Sequence, residues 1–125
     1  MEVFTSYFGN HKKFPKNAVL ISIAGKSPEG FYPEYELKML APSRSISSEY
    51  EETGDKDLYT KRYKKEILSK LDPNEIYGIL SNIAYTAGAS RVILLCYEKP
   101  DAFCHRHLVA DWLEPVVHVE EYTGG

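Results

Sequence analysis

The sequence predicts a single α/β domain of three layers, a mostly parallel sheet with helices on both faces. Three observations carry this. A continuously apolar run, RVILLCYE (91–98), has the composition of a strand covered on both sides. A helical pattern, CHRHLVADWLE (104–114), follows it, and a β-branched stretch, VVHVEEY (116–122), closes the chain after Pro115. Strand, helix and strand at this spacing make a βαβ unit, whose strands run parallel.

The elements follow in chain order. EVFTSYF and NAVLISIA are short, aromatic and β-branched, and turn formers at Gly9-Asn10, Gly25 and Pro28 bound them, so both read as strands. From Lys26 to Ser45 the chain has three prolines and reads as a long functional loop, with YELKML as its structured piece. From Ser47 the pattern is helical. Tyr59, Tyr63, Ile67 and Leu71 recur every four residues and predict an amphipathic helix ending near Leu71. Asp72 as N-cap, Pro73 at the first helical position and Glu75 three residues after the cap then start another helix. Its apolar face is Ile76, Ile79, Leu80, Ile83, Ala84 and Ala87, and Gly88 is its stop.

The composition bounds the function. At 125 residues, 43% hydrophobic and 26% charged, the chain is one ordinary globular domain without repeats or low-complexity tracts, able to bury about two-thirds of its unfolded surface. A net charge of -3 argues against coating nucleic acid non-specifically through a general basic field, while leaving room for a local basic pocket. No apolar run is long enough for a membrane span, and the start MEVFTSYFGNHKK lacks the apolar core of a signal peptide, so a cytoplasmic protein without a membrane partner is expected. In that compartment the two cysteines are expected to stay thiols. A Cys96–Cys104 bridge is disfavoured because one residue lies in a strand and the other opens a helix. Ten tyrosines serve mostly as packing, and a few could wall a pocket for a flat ligand.

Chemistry concentrates in LLCYEKPDAFCHRHLVADWL (94–113), where the strand ending at Cys96 passes to the helix opening near Cys104. Ligands of open α/β sheets bind beyond the carboxyl ends of the strands, and a helix N-terminus adds free N–H groups and about half a positive charge. Cys104 there is expected to be a thiol of lowered pKa. Arg106 can clamp a phosphate or carboxylate in bidentate fashion, or pair with Glu98, which in turn can serve as acid or base. At 100° per residue His105 faces the sheet, either as a ligand or catalytic group or as a buried histidine bonded to a strand carbonyl. His107 and Asp111 form a solvent-side pair.

Sharper templates fail. A phosphatase or rhodanese loop needs arginine six residues after its cysteine, and that position is Ala102. Zinc on Cys96, Cys104, His105 and His107 suffers from neighbouring helix positions that point apart, so no metal is expected. No phosphate-binding glycine loop is present, and no cofactor is indicated. For a Cys104 nucleophile, adjacent His105 is poorly placed, which leaves His11 or His118 as its base.

The same stretch resembles the signature of domain-of-unknown-function family 488, small bacterial, archaeal and phage proteins in which an apolar strand ends in Cys-x-Glu and Cys-His-Arg opens a helix. LISIAGKSP, LAPS and the Tyr-x-x-x-Tyr of Tyr59 and Tyr63 fall where that family has a strand and proline-bearing loop, a turn and a helix. Where the family carries an arginine after the second strand, this chain has Gly25-Lys26. The resemblance implies Cys96, Glu98, Cys104, His105 and Arg106 as site residues, and a role in nucleotide or nucleic-acid metabolism or phage-host conflict.

Three functions are consistent with this reading. The first is a domain binding an anionic, nucleotide-like small molecule through Arg106 and His105, with Lys26, Arg44 and Tyr7 as further walls. The second is a cysteine-dependent hydrolase or transferase on a nucleotide or nucleic-acid substrate, with Cys104 or Cys96 as nucleophile and Glu98 as acid or base. The third is a protein-interaction domain, and a homo-oligomer is compatible with each.

Overall fold

A computed structural model describes residues 1–26, 28–30, 34–97 and 103–124. Among the described residues the strands are β1 (Glu2–Tyr7), β2 (Ala18–Ser22), β3 (Tyr35–Glu36), β4 (Arg91–Cys96) and β5 (Val119–Glu121). They form one sheet in the order β3-β2-β4-β1-β5, and every pairing is parallel. The helices are α1 (Arg44–Thr53), α2 (Lys56–Glu66), α3 (Pro73–Ala87) and α4 (His105–Leu113). The chain is an α/β domain, as its sequence predicts.

β4 lies at the centre of the sheet, which explains its unbroken apolar run. Val92, Leu94 and Cys96 point into one cluster with Tyr63, Ile76, Leu80, Val109 and Leu113 from α2, α3 and α4. Ile93 and Leu95 point the other way, into a smaller cluster with Phe4, Phe8, Phe14, Leu20 and Tyr122. The layers are therefore unequal. Helices α1 to α4 contribute to the first cluster, and the 3-10 helix Phe8–Lys13 contributes to the second.

Local signals set the helix ends. Asp72 accepts a hydrogen bond from the Asn74 backbone N–H at 2.8 Å with Pro73 in the first turn, and Gly88 closes α3 in the left-handed conformation, φ 65°. The single helix expected through Leu71 is divided. Gly54 caps α1 with φ 65°, Asp55 caps α2 through the Leu58 N–H at 3.0 Å, and α2 ends at Glu66 before a 3-10 turn, Leu68–Lys70. The four-residue rhythm of Tyr59 and Tyr63 does not run through this break: a 3-10 turn has three residues per turn, and Leu68, not Ile67 or Leu71, is the buried residue there. Within the 26–45 loop, YELKML supplies β3 and the 3-10 turn Lys38–Leu40.

The chain leaves β1 toward β2 and leaves β4 through α4 toward β5, so the strand order reverses at the β1–β4 pair; β2 lies on the other side of β4, and its carboxyl end stands beside that of β4. Among the described residues no helix is long and apolar enough to cross a membrane.

Candidate functional site

Cys96 ends β4 on the helix-facing side of the sheet, by strict alternation with Val92 and Leu94. Cys104 is the N-cap of α4, with extended backbone (φ -151°, ψ 148°), and its side chain makes no capping hydrogen bond. That conformation corrects two expectations. Because Cys104 precedes the helical turn, its side chain is not bound to the 100° spacing that would separate it from His105. Its Sγ lies 3.7 Å from His105 Nδ1. It also turns back to the end of β4, where Cys104 and Cys96 are joined in a disulfide, their Cα atoms 7.4 Å apart. Neither is a free thiol here, contrary to the composition-based expectation.

His105 Nε2 lies 2.8 Å from the Ile23 carbonyl oxygen at the end of β2. A carbonyl only accepts, so Nε2 carries the hydrogen and the Nδ1 lone pair points to the sulfur. Burial holds the ring neutral, lowering its pKa to about 4 against the counter-effect of the Ile23 bond. The two readings of His105 thus nearly combine: it is bonded to a carbonyl one residue past β2 rather than within a strand, and it still turns Nδ1 toward the sulfur.

Arg106 departs from its expected role. Its side chain is fully buried and does not line the cleft. Nε and Nη2 each donate to a Glu121 carboxylate oxygen at 3.1 Å, and Nη1 donates to Cys96 Sγ at 3.2 Å. The guanidinium therefore ties α4 to β5 and β4 and is not available to clamp a ligand. Its acid is Glu121, to which Thr5 Oγ1 also donates at 2.8 Å. Glu98, the expected partner and acid-base residue, lies outside the described residues.

A cleft of about 1130 Å³ opens where the ends of β2 and β4 meet α1 and the start of α4. Cys96, Cys104 and His105 line it together with Lys26 and Arg44. Tyr7, although opposite Cys96 in the sheet, does not. One wall is aromatic: Tyr50, Tyr59 and Phe103 touch pairwise, with ring centroids 5.0–5.4 Å apart. Tyr97 adds a half-exposed ring, and its hydroxyl donates to the Lys26 carbonyl. Ser47 and Glu51 complete the α1 side. The abundance of tyrosine hinted at such a wall, but the particular rings come from separate segments whose meeting no local pattern announces. Glu121 was equally hidden, as an ordinary acid in a short terminal strand.

The other histidines stand apart from the cysteines. His11 Nδ1 lies 3.0 Å from the Phe8 carbonyl oxygen, and His118 sits between Glu114 and Glu120, which raise its pKa. Among the described residues neither joins the donors that converge with the cysteines or lines the cleft. His107 makes no ion pair with Asp111 among the described residues, and its Nε2 is buried without a hydrogen-bond partner there.

A family model described as "Active DUF488-N3 subclade" matches residues 10–116, which contain Lys26, Arg44 and the whole Cys96–Arg106 segment. The chain belongs to the DUF488-N3a family. No curated protein and no solved structure matches it. In this DUF488-N3a domain the Cys-His-Arg motif divides its work, since Cys104 and His105 face the cleft while Arg106 braces the wall behind them.

Proposed function

We propose that this DUF488-N3a domain binds an anionic, nucleotide-derived small molecule in the cleft. The observation that carries the reading is the meeting of two cations with an aromatic wall. Lys26 and Arg44 line the same cavity as Tyr50, Tyr59 and Phe103, and neither cation forms an ion pair among the described residues. A base stacked on an aromatic ring gains about 1–3 kcal/mol, and free cations suit a phosphate. Glu51 on the α1 side can accept from a sugar hydroxyl or an exocyclic amine. The test is thermal shift and calorimetry with nucleoside monophosphates, cyclic nucleotides and ADP-ribose. A ligand at a hundred times its Kd adds about 2.7 kcal/mol to stability, which a thermal shift detects. Lys26→Ala and Arg44→Ala each weaken binding of the phosphorylated ligand, and the matching nucleoside binds poorly to all forms. If no nucleotide shifts the protein, the reading is wrong.

A second reading is a cysteine-dependent hydrolase or transferase acting on a nucleotide or nucleic-acid substrate. The 3.7 Å approach of Cys104 Sγ to His105 Nδ1 favours it, as does the word "Active" in the family's description. In the reduced protein Cys104 is the nucleophile and Nδ1 accepts its proton, while the Ile23 carbonyl holds the ring in the required tautomer. Alkylation of the reduced protein across pH separates the readings. A Cys104 that reacts no faster than a free thiol, and no slower after His105→Gln, excludes the enzyme.

A further inference from the structure

Three soft or borderline donor atoms converge at the base of the cleft. Cys96 Sγ, Cys104 Sγ and a His105 ring nitrogen lie within 4.8 Å of one another, all three residues buried. We propose that the reduced protein binds a thiophilic divalent cation of the zinc class through Cys96, Cys104 and His105 Nδ1, with the fourth coordination position open to the cleft.

The donors are held as such a site requires. A metal-bound histidine almost always donates its other ring N–H to a carbonyl or carboxylate, which fixes the tautomer. His105 does so toward the Ile23 carbonyl at 2.8 Å. Tetrahedral zinc with sulfur at about 2.3 Å and nitrogen at about 2.0–2.1 Å sets its S and N ligands about 3.6 Å apart. Cys104 Sγ and His105 Nδ1 are 3.7 Å apart. The cysteine Cα atoms, 7.4 Å apart, lie beyond the usual disulfide span of about 4.4–6.8 Å. Once reduced, the sulfurs have backbone room for an atom between them.

The charges also balance. Two thiolates neutralise a divalent cation, and the Arg106 guanidinium that donates to Cys96 Sγ is itself neutralised by Glu121. An N–H directed at a metal-bound thiolate orients it. Thiolate donors select zinc-like ions over magnesium and calcium, and two cysteines with one histidine leaving a position open is a recognised catalytic zinc set. The neighbouring-helix objection to zinc fails here because Cys104 is an extended N-cap; His107 is not among the converging donors.

Formation of the site from the disulfide consumes one dithiol or phosphine reductant, which supplies two electrons as the S–S bond breaks and two thiols form. The cation then displaces one proton from each thiol.

The test uses the full chain, reduced with a phosphine, desalted without oxygen and titrated with Co²⁺. One Co²⁺ per chain should bind with a near-ultraviolet thiolate-to-cobalt charge-transfer band and intense visible bands of a tetrahedral ion, and Zn²⁺ should bleach both. The disulfide form should give neither band. Cys96→Ser and Cys104→Ser each weaken the charge-transfer band, the double variant abolishes it, and His105→Asn shifts the visible bands. A reduced wild-type protein, folded by circular dichroism, that gives no charge-transfer band at saturating Co²⁺ overturns the proposal. So does a band that survives the double cysteine variant.

Discussion

Arg106 and Glu121 meet in a two-pronged ion pair, Nε to Oε1 and Nη2 to Oε2 both at 3.1 Å, with the arginine side chain wholly removed from water. Removing one partner of such a pair leaves an uncompensated buried charge at a cost of about 3–5 kcal/mol. Glu121→Ala, which strands the fully buried guanidinium, is expected to lose stability on that scale in urea unfolding, and Arg106→Ala less, since the Glu121 side chain is 21% exposed. Arg106→Met with Glu121→Leu should lose much less, since neither charge is then stranded. Equal losses in the single and double variants would refute the pairing.

His105 makes stability depend on pH. Burial sets its folded pKa at about 4, below the unfolded value of 6.5. The neutral ring is therefore favoured by folding, and its contribution is complete above pH 6.5 and is lost as pH falls toward 4. The shift corresponds to about 3 kcal/mol for the metal-free protein. Denaturant titrations at successive pH values in a chelating buffer measure it, and His105→Gln should flatten the profile between pH 6.5 and 4.

The Tyr63 hydroxyl donates to the Leu40 carbonyl, joining α2 to the turn that closes the 26–45 segment. Both residues are fully buried. Tyr63→Phe keeps the ring and strands the carbonyl, so a loss of about 1–3 kcal/mol is expected. Amide exchange should rise first around Leu40 if this bond pins the segment.

Lys26 and Arg44 are exposed, so replacing both with alanine should change stability by no more than about 0.5 kcal/mol. The same double variant should lose nucleotide binding and its salt dependence. A large fall in melting temperature would mean that these residues support the fold instead.

The local signals were legible because they depend on neighbours in the chain. Asp72-Pro73 and Gly88 delimit α3 through backbone groups a few residues away, and the apolar β4 run reflects burial on both faces. The cleft's location followed from the same logic, since a strand handing over to a helix in a parallel sheet places Cys96 and Cys104 at its carboxyl edge. A boundary that rests on one residue's dihedral angles is not encoded in this way. Gly54 divides a helical pattern that continues in composition, and an extended Cys104 overturns a side-chain direction computed for a regular helix.

By itself the sequence determined the α/β class, the parallel βαβ unit, the family and the segment that lines the cleft. Only the tertiary structure decided what each side chain there does. Arg106, the expected ligand clamp, is committed to Glu121 fifteen residues away, and His105 is fixed by the Ile23 carbonyl just past β2. The aromatic wall is assembled from α1, α2 and the approach to α4. Helix and strand signals are short-range, set by backbone sterics and burial period. Which donor meets which acceptor depends on crossovers that join residues distant in the chain, and no local pattern encodes those meetings.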